Sequence, residues 1–121
     1  MKLTEPIQPA PLKRAKADRR LGPRKVINVR ARISVKGDAP LDAQTADLSH
    51  HGVSINSLQQ LNVGVECIIE LGVSVPEMGD PPSLRAIVRY CAPVRAGTFR
   101  IGMEFTTVSI EAAELLAAVV G

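Results

Sequence analysis

From Ile27 the chain alternates: Ile27, Val29, Ala31, Ile33 and Val35 are apolar, while Asn28, Arg30, Arg32, Ser34 and Lys36 between them are polar. Successive side chains of a strand point to opposite faces, so this period of two predicts a strand with one face buried. The same period returns at Val65, Cys67, Ile69, Leu71 and Val73, at Leu84, Ala86, Val88 and Tyr90, and at Phe99, Ile101, Met103 and Phe105. Two shorter strands are predicted over residues 43–48 and 52–57, joined through a tight His50-His51 link. Turn-forming residues break the pattern at 36–40, at 76–83 with three prolines and a glycine, and at 93–98 around Gly97. Six strands with short connections predict an all-β-dominated fold, a six-stranded antiparallel β-barrel, because closure leaves no exposed sheet edge.

Residues 109–120 follow a different period. Ser109 is placed to cap a helix, Glu111 and Glu114 lie near the positive end of its dipole, and Ile110, Ala113, Leu116, Ala117 and Val120 fall on one face. This predicts a short C-terminal α-helix packed on the barrel.

At 121 residues, 45% hydrophobic and 22% charged, the chain has the composition of one globular domain. Tyr90, Phe99 and Phe105 are its only aromatic residues, so Val, Ile, Leu and Ala must build the core. Three aromatics are also too few for the stacking platform that grips single-stranded nucleic acid. No apolar run approaches the roughly 18 residues of a membrane span, and the N-terminus lacks the apolar stretch of a secretory signal. A cytoplasmic protein is expected. Cys67 and Cys91 match no metal-ligand spacing and fall in strand-like segments, where free thiols are expected.

Charge changes the picture more than composition does. Residues 1–36 carry 11 Lys/Arg against 2 Asp/Glu, and residues 37–121 carry 4 against 10. A basic arm of net +9 therefore precedes an acidic body of net −6. Residues 1–18, with Pro6, Pro9 and Pro11 and no sustained apolar period, read as a flexible tail, leaving residues 19–121 as the domain. Such an arm solvates itself, docks on the body or meets an anionic partner.

Two constellations stand at the ends of predicted strands. Arg19-Arg20-Leu21-Gly22-Pro23-Arg24 contains an R-x-x-x-R pair, Arg20 and Arg24, just before the first strand. Asp47-Leu48-Ser49-His50-His51-Gly52 is a D-x-S-x-x-G turn between the second and third. In this order, ahead of a barrel of this size, they resemble the PilZ family of cyclic di-GMP receptors. The resemblance covers residues 19–120 and extends to Val53-Ser54-Ile55, Ile68-Ile69-Glu70-Leu71, Ala86-Ile87-Val88-Arg89-Tyr90 and Arg100-Ile101-Gly102-Met103-Glu104-Phe105.

The resemblance implies a PilZ-like split barrel that binds cyclic di-GMP through Arg20, Arg24, Asp47, Ser49 and Gly52, with Arg19 a further candidate. The chemistry fits. The ligand offers two phosphates and two guanines whose edges present O6 and N7, and arginine's planar fork meets either with two parallel hydrogen bonds. Asp47 can accept from guanine N1 and N2, Ser49 can donate a hydroxyl, and Gly52 allows a sharp turn or a close approach. Gly22-Pro23 inside the arginine motif restricts the arm's path.

Simpler readings of the same residues are a solvated basic tail for Arg20 and Arg24 and a self-capping turn for Asp47, Ser49 and Gly52. Adjacent histidines point to opposite faces of an extended chain, which argues against a metal at His50 and His51. Residues crowded into one turn do not make a catalytic triad, so no catalytic residue and no enzyme activity are expected. The expected protein is a receptor that orders its mobile arm on the ligand and relays the signal to a separate, unidentified protein partner. Two alternatives are nucleic-acid binding by the basic arm, which the acidic body and scarce aromatics argue against, and a docking module independent of nucleotide.

Overall fold

The structure, a computed structural model, describes residues 24–73 and 79–121. Residues 1–18, Arg19, Arg20, Gly22 and Pro23 lie outside the described residues, as does part of the proline-rich break at 76–83.

The elements run β1 (Lys25–Val26), β2 (Arg30–Ser34), β3 (Leu41–Leu48), β4 (Gly52–Ser57), β5 (Glu66–Leu71), β6 (Leu84–Arg95), β7 (Thr98–Thr107) and α1 (Ile110–Val120). All pairings are antiparallel, in the order β3-β2-β5-β6-β7-β4, and β4 pairs back onto β3 to close a six-stranded barrel. The predicted barrel with a C-terminal helix is the observed fold. The seventh strand, β1, pairs with the same strand β3 as β2 does, farther along it: Lys25 and Val26 face Leu48 and Asp47, while Arg30 to Ile33 face Gln44 to Leu41. The alternating run from Ile27 thus belongs to a ribbon with a break in it.

Thr45 fills that break. Its side chain is fully buried, its Oγ1 donates to the Ile27 carbonyl at 2.5 Å and accepts from Val29 N at 2.9 Å, and its own N donates to the Val29 carbonyl at 2.8 Å. A threonine hydroxyl here supplies the bonds that a regular ladder would have made, so the interrupted backbone is not left unpaired inside the barrel.

Of the rows the alternation predicts, Ala31 and Ile33 on β2, Cys67, Ile69 and Leu71 on β5, Leu84, Ala86 and Val88 on β6, and Ile101 and Met103 on β7 lie inward, and Val53 and Ile55 on β4 join them. Burial pushes the Cys67 thiol up to about 11, and its Sγ sits 3.5 Å from Met103 Sδ in the core. Cys67 and Cys91 are free thiols.

Three expectations are corrected. The break at 93–98 is a two-residue hairpin loop: β6 runs through Pro93 to Arg95, which pairs with Thr98, and Gly97 supplies the positive φ of 76° that the tight turn needs. Tyr90 does not join the inward row, because the register shifts between Val88 and Tyr90 and leaves its side chain 46% exposed. The helix buries Ala112, Leu115 and Leu116, whereas Ile110, Ala113 and Ala117 are exposed. Only Glu111 and Glu114 interrupt its apolar sequence, so periodicity alone could not choose the face. The cap is as expected, with Ser109 Oγ accepting from Ala112 N at 3.0 Å.

Candidate functional site

The turn after β3 is built by its own residues. Ser49 N donates to the Gly52 carbonyl at 2.9 Å, and Ser49 Oγ accepts from His51 N and Gly52 N, each at 3.1 Å. The Ser49 hydroxyl also lies 3.3 Å from the Gly52 carbonyl and is 2% exposed. Its bonding capacity is therefore used inside the turn, which fixes the direction in which the chain leaves β3. Gly52 is buried, paired with Glu104, and outside the left-handed region of φ. A Cβ there would fall 2.3 Å from the Met103 carbonyl oxygen, so its missing side chain lets β4 lie against β7.

Asp47 comes next to this turn through a bulge between Thr45 and Asp47 on β3. Because β1 pairs Lys25 with Leu48 and Val26 with Asp47, Arg24 arrives beside the same point. Its Nη1 donates to Asp47 Oδ1 at 2.5 Å, with the two side chains 44% and 24% exposed. The arginine motif and the aspartate motif thus meet in space through Arg24 and Asp47. Arg19 and Arg20, outside the described residues, have no assigned position.

Arg24, Ser49, His51, Gly52, Arg89, Tyr90, Gly102, Met103 and Glu104 line a surface groove of about 160 Å³. Arg89 Nε donates to Glu104 Oε1 at 2.7 Å, so both arginines of the groove are steered by a carboxylate while remaining substantially exposed. Such partly solvated pairs orient a guanidinium more than they stabilise the fold. His51 contributes backbone, its carbonyl accepting from Phe105 N at 2.8 Å, and His50 Nε2 stands 3.4 Å from the Gly121 carbonyl at the end of α1. Among the described residues no group of three or more His, Cys, Asp or Glu is placed to hold a metal ion.

Arg89, Tyr90 and Glu104 are groove residues that the two motifs did not mark. Gly102 was the available signal: a glycine inside a strand denotes a close approach, and here it is the Tyr90 ring that approaches. An exposed pair of guanidiniums beside an exposed ring and a carboxylate suits a planar, anionic, hydrogen-bonding ligand.

The model of the PilZ domain matches residues 18–121. Among solved structures, the PilZ domain of YcgR from Escherichia coli, solved with c-di-GMP, is 17% identical with a TM-score of 0.68 over 84% of this chain and 88% of that one. The inhibitor of motility MotI/DgrA of Bacillus subtilis is 12% identical with a TM-score of 0.68, over 85% of this chain and 49% of that one. MrkH of K. pneumonia in its c-di-GMP complex is 14% identical with a TM-score of 0.65, over 86% and 52%. The chain thus spans about half the length of MotI/DgrA and MrkH, and at these identities the likeness is one of fold. No curated protein matches it in sequence. Among the described residues no helix is long and apolar enough to cross a membrane.

Proposed function

The chain belongs to the PilZ domain family, and from that premise we propose that it is a cytoplasmic receptor for cyclic di-GMP, a binding protein and not an enzyme. The observation that carries the proposal is the meeting of Arg24, which lines the groove, with Asp47. The ligand needs cations for two phosphates, bidentate donors for guanine O6 and N7, and an acceptor for guanine N1 and N2. Arg24, with Arg20 and Arg19 arriving from the arm, supplies the first two, and Asp47 supplies the third. Ser49 and Gly52 serve by holding the turn in shape: the serine hydroxyl is spent on the backbone, and the glycine permits the strand contact beneath it.

The relay follows from the same pair. Arg24 already rests on Asp47, which leaves its remaining N–H groups turned to an anionic ligand that then draws Arg20 in behind it. The arm then takes up a new position on the barrel, and a separate protein reads the altered surface. The c-di-GMP complexes of YcgR and MrkH support the choice of ligand by likeness of fold.

Isothermal titration of the purified chain with cyclic di-GMP, GMP, GTP and an unrelated oligonucleotide tests the reading, together with R20A, R24A and D47A variants. Saturable binding of cyclic di-GMP alone, weakened in all three variants, is expected. Absence of heat with cyclic di-GMP, with an unchanged NMR spectrum, would refute the receptor and leave a docking barrel. Salt-sensitive binding of the oligonucleotide would favour the basic arm acting on nucleic acid.

A further inference from the structure

The helix α1 turns Ala112, Leu115 and Leu116 to the barrel and leaves Ile110, Glu111, Ala113, Glu114, Ala117 and Ala118 exposed. Ile110 is 77% exposed, and residues three and four apart line up on a helix, so Ile110, Ala113, Glu114 and Ala117 share one outward face. Glu111 and Glu114 are the only charged residues of this helix. Elsewhere carboxylates stand beside arginines: Asp42 with Arg32, Asp47 with Arg24 and Glu104 with Arg89. Among the described residues neither helix glutamate has an ion pair. The N-terminal arm joins the barrel at the same end. Arg24 sits on Asp47, and His50, in the turn that follows Asp47, has its Nε2 3.4 Å from the Gly121 carbonyl at the end of α1.

We propose that the outward face of α1 is the docking site of a segment of the same chain, Leu12-Lys13-Arg14-Ala15-Lys16-Ala17. The segment lies outside the described residues, and its sequence complements the face in charge and in size. Lys13, Arg14 and Lys16, with no acidic residue among them, answer Glu111 and Glu114. Leu12, Ala15 and Ala17 cover Ile110 and the small side chains of Ala113 and Ala117, which let a second backbone come close. Residues 18–23 span about 20 Å when extended, and the 11-residue helix is about 16 Å long, so the segment reaches along it. So short a tether holds the segment at about millimolar effective concentration, where exposed ion pairs too weak to recruit a separate protein suffice. Docking also limits where Arg19 and Arg20 can stand, since they follow Ala17 closely. The contact does not depend on which ligand the groove takes.

The full chain without ligand tests this. A carbodiimide joins a lysine amine to a carboxylate only where the two already meet, and mass spectrometry locates the joined peptides. Lys13 or Lys16 should be joined to Glu111 or Glu114. In a mixture of unlabelled and heavy-isotope chains each joined product should be wholly light or wholly heavy. Mixed products would assign the face to a second copy and overturn the proposal. Backbone nitrogen relaxation reads the same contact without chemistry. The amides of residues 13–17 should be more restrained in the unaltered chain than in E111Q/E114Q or K13E/R14E/K16E. They should lose that restraint in 1 M salt, which screens charges beyond about 3 Å. Combining K13E/R14E/K16E with E111K/E114K should restore it. K13E/R14E/K16E alters no described residue, and circular dichroism confirms the fold of every variant. Equal mobility of these amides in all the chains, or joined products from Lys13 and Lys16 that never include Glu111 or Glu114, would overturn the docking and leave the receptor reading as it stands.

Discussion

Arg24 and Asp47 stand 23 residues apart in sequence and 2.5 Å apart at Nη1 and Oδ1. The contact joins the two motifs before any ligand is bound, and it is made possible by β1 pairing with the last residues of β3. Both side chains are partly solvated, so the pair contributes about 1 kcal/mol or less to folding. Its value lies in orientation. D47A should therefore change thermal stability little and weaken cyclic di-GMP binding by about tenfold or more, the worth of a hydrogen bond to a charged group. D47N, which keeps an acceptor, should fall between. A melting curve and a calorimetric titration of each variant check this, and equal losses of stability and affinity would contradict it.

Gly52 invites the opposite outcome. A methyl group there would sit 2.3 Å from the Met103 carbonyl oxygen and 3.4 Å from Glu104 Cα, both backbone atoms of the neighbouring strand. Neither can move aside alone, so G52A should destabilise the barrel by about 1–3 kcal/mol, as overpacking does. Denaturant unfolding measures it. A fully stable G52A would mean that the glycine serves the ligand directly instead of the β4 to β7 contact.

Much of this architecture was legible in the alternation. Cys67, Ile69 and Leu71 lie inward as their spacing requires, and one-residue slips would have exposed the whole row. Tyr90 was not legible, since the bulge that turns it outward depends on the strand opposite and on the seat at Gly102. The helix face was not legible either, because nearly every residue from Ile110 to Val120 is apolar and the barrel decides which of them it covers. Within the site, the residue types were readable and their division of labour was not. Asp47 faces Arg24, whereas Ser49, two residues on, is turned inward to its own backbone.

The core thiol gives a pH-dependent signature. Cys67 ionises at about 11 in the folded chain because burial disfavours the thiolate, against 9.0 for the free group. A raised folded value means that the contribution is complete below about pH 9 and is lost as pH rises through 11, since the unfolded chain gives up its proton first. Stability should fall across that window, and C67A should flatten the fall while leaving other alkaline losses in place. Iodoacetamide at pH 8 should spare Cys67 until the barrel is unfolded, which mass spectrometry of the labelled peptides would reveal.

Thr45 connects the core to the arm. Its hydroxyl donates to the Ile27 carbonyl and accepts from Val29 N, and both groups belong to the interrupted stretch between β1 and β2. T45V keeps the shape and removes both bonds, leaving a part-buried carbonyl and N–H without partners at a cost of about 1–3 kcal/mol. The damage should be local as well as global. The amides of Val26 to Val29 should exchange faster in T45V than in the unaltered chain, while those of β5 and β7 slow or quicken only with overall stability. Because β1 delivers Arg24 to Asp47, cyclic di-GMP affinity should fall in T45V although the hydroxyl is fully buried and touches no groove residue. Hydrogen exchange and calorimetry on the same sample separate the two effects. Unaltered exchange at Val26 to Val29 would show that β1 holds its place without the threonine.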